Sequence, residues 1–164
     1  MGAARDRLSL FIAAARKRYL ARMRSLAIVA LLLAALLWLT KWPSLRLGLI
    51  VLLAGQAAVI LLLLNRARRL GRDQNEASIS WFDEEAAFVT RLALFENLTR
   101  TIGFLVLGYG IWVATRSWAI ALGLGVGYPA LAFFGMERRN QQRARKMLVT
   151  EKEAMLASLN SASF

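Results

Sequence analysis

The residues best suited to chemistry are missing from this chain of 164: it contains no histidine and no cysteine. That removes the commonest general base, the commonest metal ligand and the usual haem ligand. It also removes disulfides, thiolate metal sites and cysteine nucleophiles. The carboxylates that remain near the apolar segments fall in two places. Asp83, Glu84 and Glu85 follow Ser80 in the manner of a capping box, where they meet the positive end of a helix dipole. Glu96 precedes Arg100 by four residues, the favourable order for a helical ion pair. Neither reads as an acid-base set, so a reaction would rest on Glu96 or Tyr109 almost alone. With no nucleophile elbow and no phosphate loop either, the expectation is a noncatalytic protein with no cofactor and no metal.

Three other polar or small-residue features invite a role. Gln56 is the strongly polar side chain near the middle of an apolar run. Such an amide ordinarily hydrogen-bonds across helices, for about 0.6 kcal/mol, and in an oligomer it would instead line a pore. Glu96, Asn97 and Arg100 stand at the mouth of the third apolar run; if that run begins as early as Phe95 they become ionisable groups at membrane depth, where function is the default reading. In the fourth run Gly123 and Gly127 form a GxxxG. This spacing predicts close helix approach, with Gly108 and either Gly103 or Tyr109 as the facing groove. Gly125 falls on another face, and together with Gly127, Tyr128 and Pro129 it predicts a bend.

The elements that must position these residues are four apolar runs, Leu26 to Thr40, Leu47 to Leu64, Thr101 to Thr115 and Trp118 to Phe134. Several are shorter than the ~20 apolar residues of a standard span. Lys41, Arg46 and Arg100 extend them by snorkelling, and Trp42 by lying at headgroup level. With 58% hydrophobic residues, the polar segments are too few to cover four all-round apolar helices in water. Of the 22 Lys and Arg, only Lys41, Arg46 and Arg116 fall in the two short loops; the others flank the opposite ends of the runs. The positive-inside rule therefore puts both termini and the central segment in the cytoplasm. Trp38, Trp42, Trp112 and Trp118 agree, since all flank the short loops and would form one external belt. The first run has no small-x-small cleavage site, so it reads as an uncleaved anchor and the mature chain keeps Met1 or begins near it.

The expected fold is all-α, a polytopic inner-membrane protein of two transmembrane hairpins with cytosolic amphipathic helices. Residues 1–24 form a basic amphipathic helix, with Leu8, Phe11, Ile12, Ala15, Tyr19 and Met23 on one side, lying on the inner leaflet or else binding another subunit. Residues 25–65 are the first hairpin, turning at Lys41-Trp42-Pro43-Ser44. Residues 66–94 are a cytosolic connector and helix, in which Phe88, Leu92, Phe95 and Thr99 share a contact face and the helix runs on from Trp81 to Thr115. Residues 95–136 are the second hairpin, and 137–164 a short docking helix with a frayed end from Asn160. The net charge of +12 is read as topology and contact with anionic lipids. A nucleic-acid surface would interleave aromatic and basic residues, and none does.

From Ser25 to Met136 the layout is similar to that of ATP synthase protein I, a small accessory membrane protein associated with rotor-ring assembly. The likeness lies in two hairpins, a proline in the first turn (Pro43), a glutamate followed by a basic residue at the third span (Glu96 and Arg100) and a proline in the fourth (Pro129). The chain departs from that family's pattern in the four-residue spacing of Glu96 and Arg100 and in having Leu64, not proline, before Asn65. What the resemblance implies is an accessory, assembly or scaffold subunit of a larger inner-membrane complex, with other membrane subunits or further copies as partners. The alternative is a small homo-oligomeric channel or pore-forming effector, built around Gln56 or the glycine-rich fourth run.

Overall fold

The computed structural model describes residues 2–72, 80–131 and 138–161, and every element among them is helical. Helix α1 spans Gly2–Leu39, α2 Pro43–Arg72 and α3 Ser80–Thr115. A short α4 (Trp118–Leu122) leads through a π-helical turn (Gly123–Gly127) into α5 (Tyr128–Leu131), and α6 covers Arg138–Ser161. Three helices, α1, α2 and α3, are long and apolar enough to cross a membrane, whereas Trp118–Leu131 is a shorter apolar helix. The connector 73–79 and residues 132–137, including Gly135, lie outside the described residues.

Each hairpin turns for a local reason. At the first, Thr40 to Trp42 leave the helical conformation and Pro43 opens α2, at the one helical position where a missing N–H costs nothing. Arg46 Nε donates to the Thr40 carbonyl at 2.8 Å, satisfying an acceptor at the end of α1. At the second, Arg116 takes φ 57, the left-handed conformation that usually closes a helix at glycine. Its guanidinium lies over the Trp112 ring, 5.6 Å from the centroid. Trp112 in turn stacks on Trp118 across the turn at 4.7 Å.

The amphipathic N-terminal segment and the first apolar run are one helix, with no break near residue 24. The apolar face expected on the inner leaflet is instead covered by protein: Leu8, Ile12, Ala15 and Tyr19 are buried in a core with Leu63, Ala67 and Leu70 of α2 and Trp81, Phe82 and Leu92 of α3. Phe88 and Phe95 pack against this core, as their shared helix face predicted. Helix α6 docks beside it through Leu148 and through Lys152, whose ammonium lies 2.7 Å from Asp83.

Toward the hairpin turns the packing changes character. A Cβ at Gly48 would lie 2.6 Å from Leu107 Cα, one at Gly103 2.4 Å from Leu52, and one at Gly110 2.5 Å from the Ser44 carbonyl. Glycine is therefore what lets α2 and α3 approach this closely. On the other side of α3, Gly108 faces Gly125. The GxxxG reading is corrected here: a Cβ at Gly123 would meet nothing within 4 Å, and one at Gly127 only the Leu122 carbonyl at 3.8 Å. The cause is the π turn, in which the Tyr128 N–H bonds to the Gly123 carbonyl, five residues back. One extra residue per turn rotates the face, so Gly125 meets α3. Pro129, one residue on, has no N–H to offer an α-helical ladder, which is the local reason for the irregularity.

Candidate functional site

Two ionic clusters stand inside the bundle, both built on α3. In the first, the Glu85 carboxylate is only 3% exposed. It accepts from Arg66 Nε at 3.2 Å and Nη2 at 3.0 Å through Oε2, and from the Tyr19 hydroxyl through Oε1. Phe88 completes the cluster, with the Arg66 guanidinium 5.4 Å over its ring and Tyr19 edge-on to it at 5.8 Å. The expectation that Glu85 merely marks a helix start is thus corrected. Asp83 fits that role, whereas Glu85 ties α1 and α2 to α3.

In the second cluster Glu96, 1% exposed, accepts from Arg100 through Oε1 and from Arg22 of α1 through Oε2. The i,i+4 pair anticipated from sequence is present, and a second guanidinium from 74 residues away joins it. A carboxylate this buried must be matched by hydrogen bonds and opposite charge or it would be expelled or neutralised. The backbones of α1 and α3 make little direct contact. Tyr19 and Arg22 therefore bridge a gap.

Two cavities among the described residues border it. One of about 180 Å³ lies between α1, α3 and α6, with Tyr19, Arg22, Glu85 and Glu151 among its walls. The other, of about 250 Å³, lies where α1, α2, α3 and α5 meet. Gln56, Asn97, Arg100 and Thr101 supply its polar wall, and the Phe104 and Tyr128 rings, 4.6 Å apart, adjoin at one side. Gln56 was expected to bond across helices. Instead its Oε1 is buried without a hydrogen-bond partner among the described residues. Pro129 lines the same cavity. Of the residues singled out in the sequence, Gln56, Arg100 and Pro129 thus share one cavity and Glu96 stands beside Gln56 and Arg100, while Gly123 is exposed and open.

Arg22, Tyr19 and Arg66 were missed. All three lie in stretches rich in basic residues, where each reads as one more cationic or interfacial side chain. The available signal was Tyr19 on the apolar stripe of its helix, since a buried phenol needs a polar partner. Among the described residues no group of three or more acidic side chains could hold a metal ion. No protein-family model, no curated protein and no solved structure matches the chain.

Proposed function

We propose that this chain is a noncatalytic accessory, assembly or scaffold subunit of a larger inner-membrane complex, crossing the membrane four times with both termini in the cytoplasm. One observation carries the reading: the buried carboxylates Glu85 and Glu96 are engaged in fastening helices to one another, while the apolar flanks of the spans are left uncovered. Only 6% of the most apolar window of α1 is buried within the chain, and Leu31, Leu36 and Trp38 stand exposed. Lipid and neighbouring membrane subunits are what such a surface meets.

Taking Trp38, Trp42, Trp112 and Trp118 as the external belt, a ~30 Å hydrocarbon layer extends about 20 residues along each long helix. It then ends near Leu20 in α1, Leu63 in α2 and Leu92 in α3. In this frame the Glu85 cluster and the aromatic core form a cytoplasmic cap, and the Glu96 cluster lies just inside the inner boundary. The outward residues Met147, Val149 and Leu156 of α6 offer that cap an apolar contact to a partner. Deleting Arg143 to Phe164, or introducing Val149→Glu, is expected to abolish assembly of the complex without an ion-flux phenotype.

A second reading, the homo-oligomeric channel, is favoured by Gln56, which lines the larger of these two cavities together with Arg100. Its test is Gln56→Leu: loss of an ion flux with assembly intact would replace the scaffold reading by this one.

A further inference from the structure

We propose that the groove between α3 and the α4 and π-turn segment seats an acyl chain of an anionic phospholipid from the leaflet at the hairpin turns, with the lipid phosphate on Arg116. The inference rests on the membrane reading above. The groove has a volume of about 270 Å³ and is walled by Leu105, Tyr109 and Trp112 of α3 and by Trp118, Leu122 and Val126 across from them. Its floor is the place where Gly108 meets Gly125, which the π turn brings to α3. All of these wall side chains but Trp112 stand open, from 48% exposed at Leu105 to 63% at Tyr109.

Charge decides which lipid. From Arg7 to Arg72 and from Asn97 to Met136 the chain has no acidic residue, so Lys41, Arg46 and Arg116 give the turn end of the bundle a single sign of charge. The first turn adjoins α3, since Ser44 Oγ donates to the Gly110 carbonyl at 3.2 Å. Arg46 commits its Nε to the Thr40 carbonyl. Arg116 is exposed, lies over the Trp112 ring and among the described residues pairs with no carboxylate. A ring contact leaves the guanidinium N–H donors to phosphate oxygens, which they match in pairs. Arg116 also holds φ 57, where glycine is the ordinary residue. Glycine there would close the turn without a Cβ penalty but would supply no cation.

Depth and shape fit a single acyl chain. Arg116 is four residues beyond Trp112, about 6 Å along the axis, which sets it at phosphate level when Trp112 lies in the external belt. From Trp112 inward to Leu105 is seven residues, about 10 Å, or two-thirds of a ~15 Å half-layer of hydrocarbon. A partner helix would need small residues at the rim to come close. Here the rim is Tyr109, Trp118, Leu122 and Val126, and the small residues Gly108 and Gly125 already face each other at the floor. A thin, flexible hydrocarbon chain fills such a groove where a helix cannot.

The test uses the full chain in mild detergent, exposed to phosphatidylglycerol or to phosphatidylcholine of the same acyl chains, with bound lipid read by native mass spectrometry. One phosphatidylglycerol per chain should resist washing, with about tenfold preference over phosphatidylcholine. Arg116→Gly should bring that preference to within about twofold of unity while the melting temperature holds or rises, because glycine suits the left-handed position. Arg24→Gln, an equal loss of charge at the opposite end, should leave the firmly held lipid in place. Val126→Trp, which sets a ring in the groove, should abolish retention with helical content unchanged. Equal retention of the two lipids by the wild type would overturn the proposal. So would an Arg116→Gly chain that keeps the preference, an Arg24→Gln chain that loses it as fully, or a Val126→Trp chain that keeps the lipid. Failure of the membrane reading itself would be separate, since the chain would then be released from its native membranes by an alkaline wash.

Discussion

The two halves of helix α1 are packed very differently. In the first half Leu8, Ile12 and Ala15 are at most 2% exposed, pressed against Phe82, Leu63 and Leu70. In the second half Leu31 is 71% and Trp38 86% exposed, although the residues are just as apolar. Where water is the solvent, covering apolar area stabilises by about 25 cal/mol per Å² and a core forms. Where lipid is the solvent that drive vanishes, and helices come together only by close approach or by polar contact. The glycines at 48, 103, 108 and 110 and the ion pairs of Glu96 are those two devices. The difference between the halves is what the membrane frame proposed above predicts.

This contrast can be broken deliberately. Phe82→Ala should cost about 3–5 kcal/mol by opening a cavity in the core around Leu8 and Ile12, whereas Leu31→Ala should cost under about 0.5 kcal/mol in detergent or bilayer; reversible unfolding in mixed micelles reads both. Glu96→Ala, which takes the shared carboxylate from the part-exposed Arg22 and Arg100, should cost about 1–3 kcal/mol and loosen α1 from α3. A proximity label between the two helices would report that separation. Gly48→Ala should cost about 1–3 kcal/mol, because its Cβ would fall 2.6 Å from the Leu107 backbone, while Gly123→Ala should be neutral. Lys152→Ala removes an exposed contact to Asp83 and should cost at most about 1 kcal/mol, a loss that added salt erases.

The elements were legible in the sequence to a large degree, because long apolar runs, Pro43 and the Ser80-to-Asp83 start are local signals. Helix α3 was legible over nearly its full length, as was the pair Glu96 and Arg100. What escaped is non-local. The partner of Glu96 on α1 lies 74 residues away, and nothing in the pattern of Arg16, Lys17, Arg18, Arg22 and Arg24 distinguishes the one that turns inward. The apolar face of residues 8–23 was visible, but an amphipathic stripe does not say whether lipid or protein covers it. The glycine face of Trp118–Leu131 was misread because α-helical periodicity was carried through a π turn, which slips the phase and brings Gly125 to Gly108.

The central claim, an accessory subunit whose uncovered spans meet other membrane proteins, is tested most directly by quantitative mass spectrometry of what co-purifies with the chain from its native membrane in a mild detergent. A stoichiometric set of other membrane subunits is the predicted result. A homogeneous homo-oligomer with no other subunit would contradict the claim and put the channel in its place.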